Sequence, residues 1–210
     1  MDVKILPLGT IQTNAFLLTK EGHAVLVDAP MGAHQVVKDI LASDGLTLDA
    51  LLLTHAHWDH TTDAYLFQRD RVPLYGHQAD RDLFENPQIM SSFGLPGVPM
   101  EPVQIDVWLE DGEVVEFLGE KVEVRHVPGH CPGNILFYID RHASCFSGDV
   151  IFAGGIGRYD LPGGDFSQLE QSIQTRVYTL PEDTEIFPGH GPVTSVRDER
   201  RRNPYVRPLD

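Results

Sequence analysis

The chain has 210 residues, of which 41% are hydrophobic and 22% charged, a composition typical of a globular protein that predicts one domain spanning 1–210. Its formal net charge of −15 repels phosphate backbones and anionic headgroups, so we expect neither nucleic acid nor a membrane as a partner. The N-terminal segment lacks the features of a signal peptide, no apolar run reaches the ~20 residues of a transmembrane helix, and Cys131 and Cys145 are too few for a disulfide framework, which together predict a cytoplasmic protein.

Strand and helix signals alternate through the first half of the chain. Short apolar or alternating runs predict strands, and apolar residues at helical spacing, such as Val37, Ile40 and Leu41, predict helices. The apolar run ALLLTH is continuous, which is typical of a buried strand. The predicted strands are 3–8, 15–20, 24–29, 50–55 and 72–76, and the predicted helices are 33–43 and 63–69.

A stretch rich in Pro, Gly and Ser, 86–102, predicts a long ordered loop, within which Phe93–Val98 is a candidate lid. Strand signals then return, with one further helix that Asp165 or Ser167 would cap. The predicted strands are 113–118, 121–127, 134–140, 143–148 and 184–188, and the predicted helix is Phe166–Tyr178. Strand-rich segments flanked by helices predict an α/β protein with two packed sheets and helices outside, whereas the strand order stays open.

The densest chemical signal is the segment THAHWDH, which comes directly after the apolar run of the predicted strand 50–55. Three imidazoles and a carboxylate so close together are hard to explain as structural residues. Alternate residues at an extended strand end share a face, so His55 and His57 point together, and Asp59 and His60 lie where the chain turns into the next helix. The pattern predicts two metal ions, for which imidazole and carboxylate together favour zinc and permit iron or manganese.

Three later segments each place one potential ligand after an apolar strand in a glycine-rich turn. They are VPGH, which ends at His130, FSGD, which ends at Asp149, and FPGHG, which contains His190. Glycine lets the backbone approach closely and adopt positive φ, which fixes a side chain beyond the strand end. We therefore expect ligands from both halves of the chain to meet at one edge of the two sheets.

These elements resemble the metallo-β-lactamase superfamily over nearly the whole chain and, within it, the short single-domain bacterial form of the glyoxalase II-like hydrolases. The stretches GDVIFAGGIGRYDLPGGD and PGHGPVTSVRDERRRNPYV are similar to that subgroup. The resemblance implies a four-layer αββα sandwich. It also implies the ligand sets, which are His55, His57 and His130 for the first metal, Asp59, His60 and His190 for the second, and Asp149 as a bridge between both.

Such a ligand set indicates hydrolysis. A metal lowers the pKa of its bound water toward ~7, so a metal-bound hydroxide is available at neutral pH, and two metals ~3.5–4 Å apart can also polarise a carbonyl. We expect Asp59 to orient that hydroxide in addition to binding metal. The sequence offers no dedicated proton donor for a poor leaving group, and a thiolate hardly needs one because the pKa of a thiol is only ~8.5. This chemistry agrees with thioester hydrolysis without selecting thioesters over other esters.

The region after Asp149 bears on the substrate. In the long glyoxalase II enzymes this region supplies a basic residue and a tyrosine that bind the glycine carboxylate of glutathione. Arg158 matches the basic position, whereas Asp160 stands where the family has tyrosine and Tyr159 is one residue early. Arg158 and Tyr159 are therefore candidate substrate contacts, with a structural ion pair as the alternative for Arg158. We expect no C-terminal helical glutathione-binding domain and hence a wider, less selective pocket.

The leading hypothesis is a metal-dependent hydrolase that cleaves S-acyl thioesters, in the manner of hydroxyacylglutathione hydrolase, with a small-molecule thioester as its substrate. The alternatives are a mononuclear iron persulfide dioxygenase, a lactonase and a non-catalytic metal-binding protein. A nuclease of the ribonuclease Z type is disfavoured by the charge, and a B1-type β-lactamase by Asp149, where those enzymes carry cysteine. The acyl group, the thiol carrier, the native metal and the oligomeric state stay open.

Overall fold

The computed structural model describes residues 1–209, which build two six-stranded mixed sheets. The strands of the first sheet are β1 (Asp2–Leu8), β2 (Thr13–Lys20), β3 (His23–Val27), β4 (Thr47–Leu52), β5 (Leu74–His77) and β6 (Val107–Leu109). They lie side by side in chain order. Neighbours from β1 to β3 are antiparallel and neighbours from β3 to β6 are parallel.

The second half of the chain forms the second sheet and a small hairpin. Its strands are β7 (Val114–Phe117), β8 (Glu120–His126), β9 (Ile135–Ile139), β10 (Ser144–Gly148), the hairpin strands β11 (Ile151–Phe152) and β12 (Gly155–Ile156), β13 (Glu185–Pro188) and β14 (Thr194–Ser195). The sheet order is β14-β13-β10-β9-β8-β7, with β11 and β12 paired separately. Of these pairs, β10 and β13 run parallel and the others antiparallel.

Helices cover the outer faces and are mostly short. They are α1 (Ala33–Asp44), α2 (Trp58–Thr61), α3 (Ala64–Arg69), α4 (Arg81–Glu85), α5 (Phe166–Ser172), which continues as a π turn over Ile173–Val177, and α6 (Val196–Arg202). The Asp165 carboxylate caps α5 by accepting from the Gln168 backbone N–H at 2.8 Å, as its position before the helix predicts. Within residues 1–209, no helix combines the length and the apolarity needed to cross a bilayer.

Three apolar clusters separate four layers. Between the sheets, Phe16 of β2 packs against Phe146 of β10 with ring centroids 5.2 Å apart. Leu17, the next residue of β2, points to the opposite face and joins the cluster under α1 and α3. On the far side, Leu136 of β9 packs with Leu169 of α5. Since both faces of each sheet are covered, the strands are apolar on both sides, as sandwiched sheets require, and the predicted αββα sandwich is confirmed.

The topology brings the ends of several strands to one edge of the sandwich. Because β10 and β13 are parallel, their carboxyl ends lie together, and the chain continues there into Asp149 and Gly189. The first sheet joins at the same place, where the Asn14 backbone N–H at the start of β2 donates to the Gly189 carbonyl at 2.7 Å. The Ile135 backbone N–H donates to the Thr54 carbonyl at 2.9 Å, which attaches the loop after β4 to β9.

Several predicted bounds were wrong. The strand predicted at 50–55 is β4, and its regular pairing with β3 and β5 stops at Leu52, so 53–57 form an irregular loop instead of a strand end. The loop predicted at 86–102 begins with a 3-10 helix over Pro87–Met90. The short elements β6, α4, β14 and the hairpin of β11 and β12 had no predicted counterpart, because two to five residues carry too little periodicity.

Candidate metal centre

The loop after β4 carries imidazoles into the interior. It leaves the sheet at residue 53, and a hydrogen bond of 2.8 Å from the Thr54 backbone N–H to Asp28 Oδ1 fixes its course. His57 is extended, with φ −68° and ψ 145°, and directly precedes α2, so Asp59 and His60 lie in the first turn of that helix. His55, His57 and His60 are all buried. The paired orientation predicted for His55 and His57 is present, although the backbone that produces it is irregular.

Two groups of side chains converge at this edge. In the first, the His57 and His130 ring centroids are 4.4 Å apart, and each lies within 5 Å of the His55 ring. In the second, His190 Nε2 lies 3.1 Å from Asp59 Oδ2, which is 3.3 Å from His60 Nε2. The structure thus brings the ligand residues from both halves of the chain into one site.

Asp149 lies between the two groups. Its Oδ1 is 3.2 Å from His60 Nε2, and its Oδ2 is 3.5 Å from His190 Nε2 and 3.7 Å from His130 Nε2. A carboxylate that reaches both groups is placed as a bridge would be. Three sets of ligand atoms lie within 4.8 Å of one another, namely His55 with His57 and His130, His55 with His60 and Asp149, and Asp59 with His60 and His190.

The unpartnered atoms of the site show whether metal ions fit it. Buried polar atoms in proteins are almost always hydrogen-bonded. Here five buried atoms that face one another have no hydrogen bond of acceptable geometry, namely Nε2 of His55, His57, His60 and His130, and Oδ1 of Asp149. Imidazole nitrogens and carboxylate oxygens aimed at a common point are the donors that zinc and similar cations bind, so the residues fit two divalent cations.

The opposite ring nitrogens support the same interpretation. His55 Nδ1 lies 3.0 Å from Thr54 Oγ1, His60 Nδ1 2.7 Å from Asp28 Oδ2, and His130 Nδ1 2.6 Å from the Arg158 carbonyl oxygen. The carboxylate and the carbonyl accept hydrogen bonds, which places the proton on Nδ1 and leaves the Nε2 lone pair free for a cation. Sequence reasoning missed Asp28 and the Arg158 carbonyl, since both lie far along the chain from the imidazoles that they contact.

Asp28 is the most important of the missed residues. It is fully buried, directly follows the apolar run of β3 and has a positive φ of 60°. Its carboxylate accepts from the Thr54 backbone N–H and from the Thr54 hydroxyl, at 2.8 Å in each case, besides contacting His60. Asp28 could have been predicted from the sequence, because it is a carboxylate placed directly after an apolar strand.

Asp80 supports the other side of the site. Its buried carboxylate accepts from the Gly133 backbone N–H at 2.6 Å and, through Oδ2, from the Ala56 backbone N–H at 3.0 Å and the Cys131 thiol at 3.2 Å. Ala56 lies between two ligands of the first group, and Cys131 follows the third. Asp80 therefore holds the two ligand loops at a fixed separation, and no sequence pattern pointed to it.

Burial and neighbouring charges shift the pKa values of the candidate ligands in opposite directions in the two groups. Burial, together with the neighbouring His130, lowers the pKa of His57 to about 3, and burial also lowers the pKa of His55 well below its usual value. Burial would lower the pKa of His60 as well, but the carboxylates of Asp59 and Asp149 raise it well above the usual value. Without a metal the first group is therefore neutral, whereas His60 and the carboxylates of the second group carry opposite charges. A cation bound at the second group would replace the His60 Nε2 proton.

A glycine makes room for the second group. A Cβ on Gly189 would overlap Asp149 Oδ1 and lie 2.6 Å from His60 Cε1. Any larger residue would displace the candidate bridging carboxylate, because such contacts are far below van der Waals distance. The predicted role of glycine in the turn before His190 is therefore close approach, and its backbone φ is not in the left-handed region.

A cavity of about 260 Å³ opens directly over the candidate ligands. Its walls are largely apolar, and Arg158 is the one lysine or arginine among the lining residues. Tyr159 does not line this cavity. It is exposed, packs against Phe166 with tilted rings whose centroids are 5.1 Å apart, and faces an adjoining surface groove. Phe93, from the candidate lid, does line the cavity.

Comparisons with known proteins agree with this geometry. The family profile described as Metallo-beta-lactamase superfamily matches residues 8–190. The hydroxyacylglutathione hydrolase GloC of Haemophilus influenzae is 37% identical, over 98% of this chain and 98% of its own. The crystal structure of BLEG-1 B3 metallo-beta-lactamase is 37% identical over 98% of this chain and 99% of that chain, with a TM-score of 0.90. The crystal structure of TTHA1623 in a di-iron-bound form is also 37% identical, and the match spans 97% of this chain and 100% of that chain with a TM-score of 0.85.

Proposed function

The chain belongs to the metallo-β-lactamase superfamily, and on that basis we propose that it is a dinuclear metallohydrolase that cleaves S-acyl thioesters. The observation that carries the proposal is the convergence of five buried ligand atoms without hydrogen-bond partners on one edge of the sandwich. Similarity over nearly the full length to a protein named as a hydroxyacylglutathione hydrolase supports the thioester substrate.

The proposed ligands divide as the distances suggest. His55, His57 and His130 would hold one cation, Asp59, His60 and His190 would hold the other, and Asp149 would contact both. When bound, the cations supply the nucleophile by lowering the pKa of a coordinated water and stabilise negative charge on the carbonyl oxygen. Zinc suits the imidazole and carboxylate donors, and iron is the alternative that a di-iron-bound relative supports.

Asp59 is the side chain placed to orient the nucleophile. Its Oδ2 accepts from the Thr13 hydroxyl at 3.0 Å and lies 3.1 Å from His190 Nε2, so the carboxylate is fixed between the two sheets. The carboxylate also lines the cavity, so one of its oxygens would accept a hydrogen bond from the attacking water while the other would bind metal. Fixing that oxygen in advance lowers the cost of organising the transition state.

The cavity supports a good leaving group. Apart from the candidate ligands and Arg158, no titratable side chain is among its described lining residues. An amide or lactam nitrogen needs a proton donor when it leaves, whereas a thiolate leaves unassisted because the pKa of its conjugate acid is only ~8.5. The protein's own residues therefore favour a thioester over an amide.

Two alternatives have specific support. Similarity to a B3 metallo-beta-lactamase favours a test with a lactam. The persulfide dioxygenase hypothesis requires one iron held by two histidines and an aspartate. Asp149 with His55 and His60 is such a set, but the remaining candidate ligands favour a dinuclear centre. A lactonase needs the same ligand set, and nothing in the cavity selects it over a thioesterase.

The test is hydrolysis of S-lactoylglutathione by protein loaded with zinc or with iron, with metal content measured in parallel. We expect turnover that falls at least ~100-fold in Asp149→Ala, which removes the carboxylate between the groups, and is unchanged in Asp82→Asn, an exposed residue of α4. Metal-replete, folded protein that hydrolyses no thioester would overturn the proposal. A lactam, a lactone and a persulfide with O₂ are assayed beside it to identify the reaction class in that case.

A further inference from the structure

The polar side chains of the cavity are almost all committed to metal binding. Of its thirteen lining residues, five are candidate ligands, one is Arg158 and the remaining seven are apolar. No hydroxyl or amide side chain is among them. An acyl group that carries a hydroxyl or a charge would lose its hydration there, and apart from the proposed cations only Arg158 and the indole N–H of Trp58 could replace it.

The apolar side chains come from both halves of the chain and surround the ligands. They are Ile11, Trp58, Met90, Phe93, Phe152 and, from the hairpin and the segment after it, Ile156 and Leu161. Ile11 and Phe93 are 43% and 42% exposed, so the apolar surface continues from the cavity to its mouth. Exposed aromatic and branched side chains grouped at a site mouth indicate an apolar ligand, since singly scattered ones would not line one cavity.

Arg158, the one arginine or lysine among the described lining residues, is already paired. Its Nε and Nη2 each lie 2.9 Å from an oxygen of Asp160, a two-pronged ion pair. Asp160 stays close to Arg158 even when the exposed ion pair opens. The two charges therefore cancel at the distance from which a substrate approaches. A carboxylate on the substrate therefore finds no net positive side chain at the mouth.

We propose that the cavity selects thioesters of uncharged, apolar acyl groups, and that Asp160 prevents Arg158 from attracting a carboxylate on the thiol carrier. This inference rests on the proposed thioesterase function and names its substrate class. It makes two separable predictions, one about the acyl group and one about the carrier.

The acyl group is tested with a shape-matched pair. Isobutyryl and lactoyl thioesters of one carrier differ by a methyl group in place of a hydroxyl. Each kcat/KM is divided by the rate constant for hydroxide-catalysed hydrolysis of the same compound, which removes the intrinsic reactivity of the ester. We expect isobutyryl to exceed lactoyl roughly ten-fold, the scale on which an apolar pocket discriminates against a hydroxyl.

A variant connects that preference to the wall. Phe93→Ser places a hydroxyl in the cavity and should reduce the isobutyryl preference at least ~3-fold. Ile89→Ser is the matched control, because Ile89 is 46% exposed on the preceding 3-10 helix and does not line the cavity. Equal preference in Phe93→Ser and wild type, or a wild-type preference for lactoyl, would overturn the acyl half of the proposal.

The carrier is tested by comparing isobutyryl thioesters of anionic glutathione and neutral N-acetylcysteamine. In wild type we expect no gain from the glutathione carboxylates. Asp160→Asn should raise kcat/KM for the glutathione thioester about two- to five-fold, the equivalent of one exposed ion pair, and leave the neutral carrier unchanged. The gain should shrink in high salt. Glu182→Gln, which removes a similarly exposed partner of Arg197 outside the cavity, is the control.

The outcomes separate the two levels of the argument. Hydrolysis of both acyl groups with lactoyl preferred, or an Asp160→Asn variant that gains nothing on glutathione, overturns this inference and leaves thioester hydrolysis standing. Failure to hydrolyse any of these thioesters by metal-replete protein overturns the proposed function itself. We expect a preference for isobutyryl over lactoyl that depends on Phe93. We also expect a gain on the glutathione carrier that appears only when Asp160 is neutralised.

Discussion

Replacing Asp80 by asparagine should damage the first metal site selectively, although Asp80 touches no metal ligand side chain. Its Oδ1 accepts from the Gly133 backbone N–H at 2.6 Å, and its Oδ2 accepts from the Ala56 backbone N–H at 3.0 Å. An amide is nearly the same shape but has only one accepting oxygen. In either orientation its NH₂ group faces a buried backbone N–H, so one of the two ligand loops loses its attachment.

The structure sets the magnitude. A hydrogen bond to a charged group contributes about 1.5–3 kcal/mol, and a buried donor left unpaired costs about 1–3 kcal/mol. Part of this is recovered, because burial raises the pKa of Asp80 and the neutral amide avoids that cost. We expect a loss of about 2–4 kcal/mol in the free energy of unfolding, which for a chain of this size lowers the melting temperature by roughly 5–15 °C.

The metal readout distinguishes positioning from general destabilisation. Zinc is titrated into metal-free protein against a chromogenic chelator, well below the melting temperature of the variant. Removing a group that orients ligands typically weakens metal affinity 10–100-fold, and here the loss should fall on the cation held by His55, His57 and His130. Asp82→Asn, an exposed change on the neighbouring helix turn, serves as the control. Unchanged zinc affinity at both sites, or a loss confined to the second site, would refute the reasoning.

Three further predictions concern other parts of the site and fold. Asp28→Asn should weaken the second cation 10–100-fold in the same titration, because an amide can donate to His60 Nδ1 and so move the ring proton to Nε2. Gly189→Ala should abolish dinuclear loading, measured as metal per protein, because its Cβ would overlap the candidate bridging carboxylate. Lys20→Met should destabilise the protein at neutral pH but not in acid. Lys20 Nζ lies 2.7 Å from Glu120 Oε1 and lowers the pKa of Glu120 to about 2, although burial opposes this shift. The ion pair therefore stabilises the protein fully above the usual pKa of a glutamate, and this stabilisation is lost as the pH falls toward 2.

Each of these has a contrary outcome. Asp28→Asn with wild-type affinity for both cations would mean that the tautomer of His60 does not depend on Asp28. Two metal ions per chain in Gly189→Ala would contradict the inference that the Gly189 backbone lies too close to Asp149 to accept a side chain. For Lys20→Met, denaturant unfolding at neutral and acid pH is compared with Lys121→Met, an exposed neighbour of Glu120; equal stability changes in the two variants at both pH values would contradict the ion-pair argument.

The layers and the candidate ligand residues were predictable because each has a local signal in the sequence. Apolar strand runs such as that of β2 are long enough to recognise, and the histidine-rich loop lies directly after one of them. Element ends were less predictable, because pairing partners decide them: the apolar run of β4 continues to Leu53, but its registered pairs stop at Leu52. The π turn of Ile173–Val177 has no signal either, since one additional residue leaves the apolar spacing of the helix nearly unchanged.

Apart from Asp28, the groups that orient the candidate ligands could not be predicted from the sequence. Asp80 lies 24 residues from Ala56 and 53 from Gly133 along the chain, and the partner of His130 is a backbone carbonyl that any residue type could provide. Such contacts follow from the packing of the two sheets and leave no pattern in the residues between them. For Arg158 the sequence left a structural ion pair open as the alternative to a substrate contact, and the geometry identifies Asp160 as the partner.

The distribution of charge at this edge favours the binding of cations. Asp28, Asp59 and Asp149 are each no more than 9% exposed, and an unpaired buried carboxylate is costly. Arginine and lysine are absent from the described lining except for Arg158, which Asp160 already occupies. Hydrogen bonds from Thr54 and Thr13 satisfy only part of this negative charge. Two divalent cations would balance it and engage the unpartnered Nε2 atoms together, so the ions proposed to supply the chemistry would also hold the two sheets together at this edge.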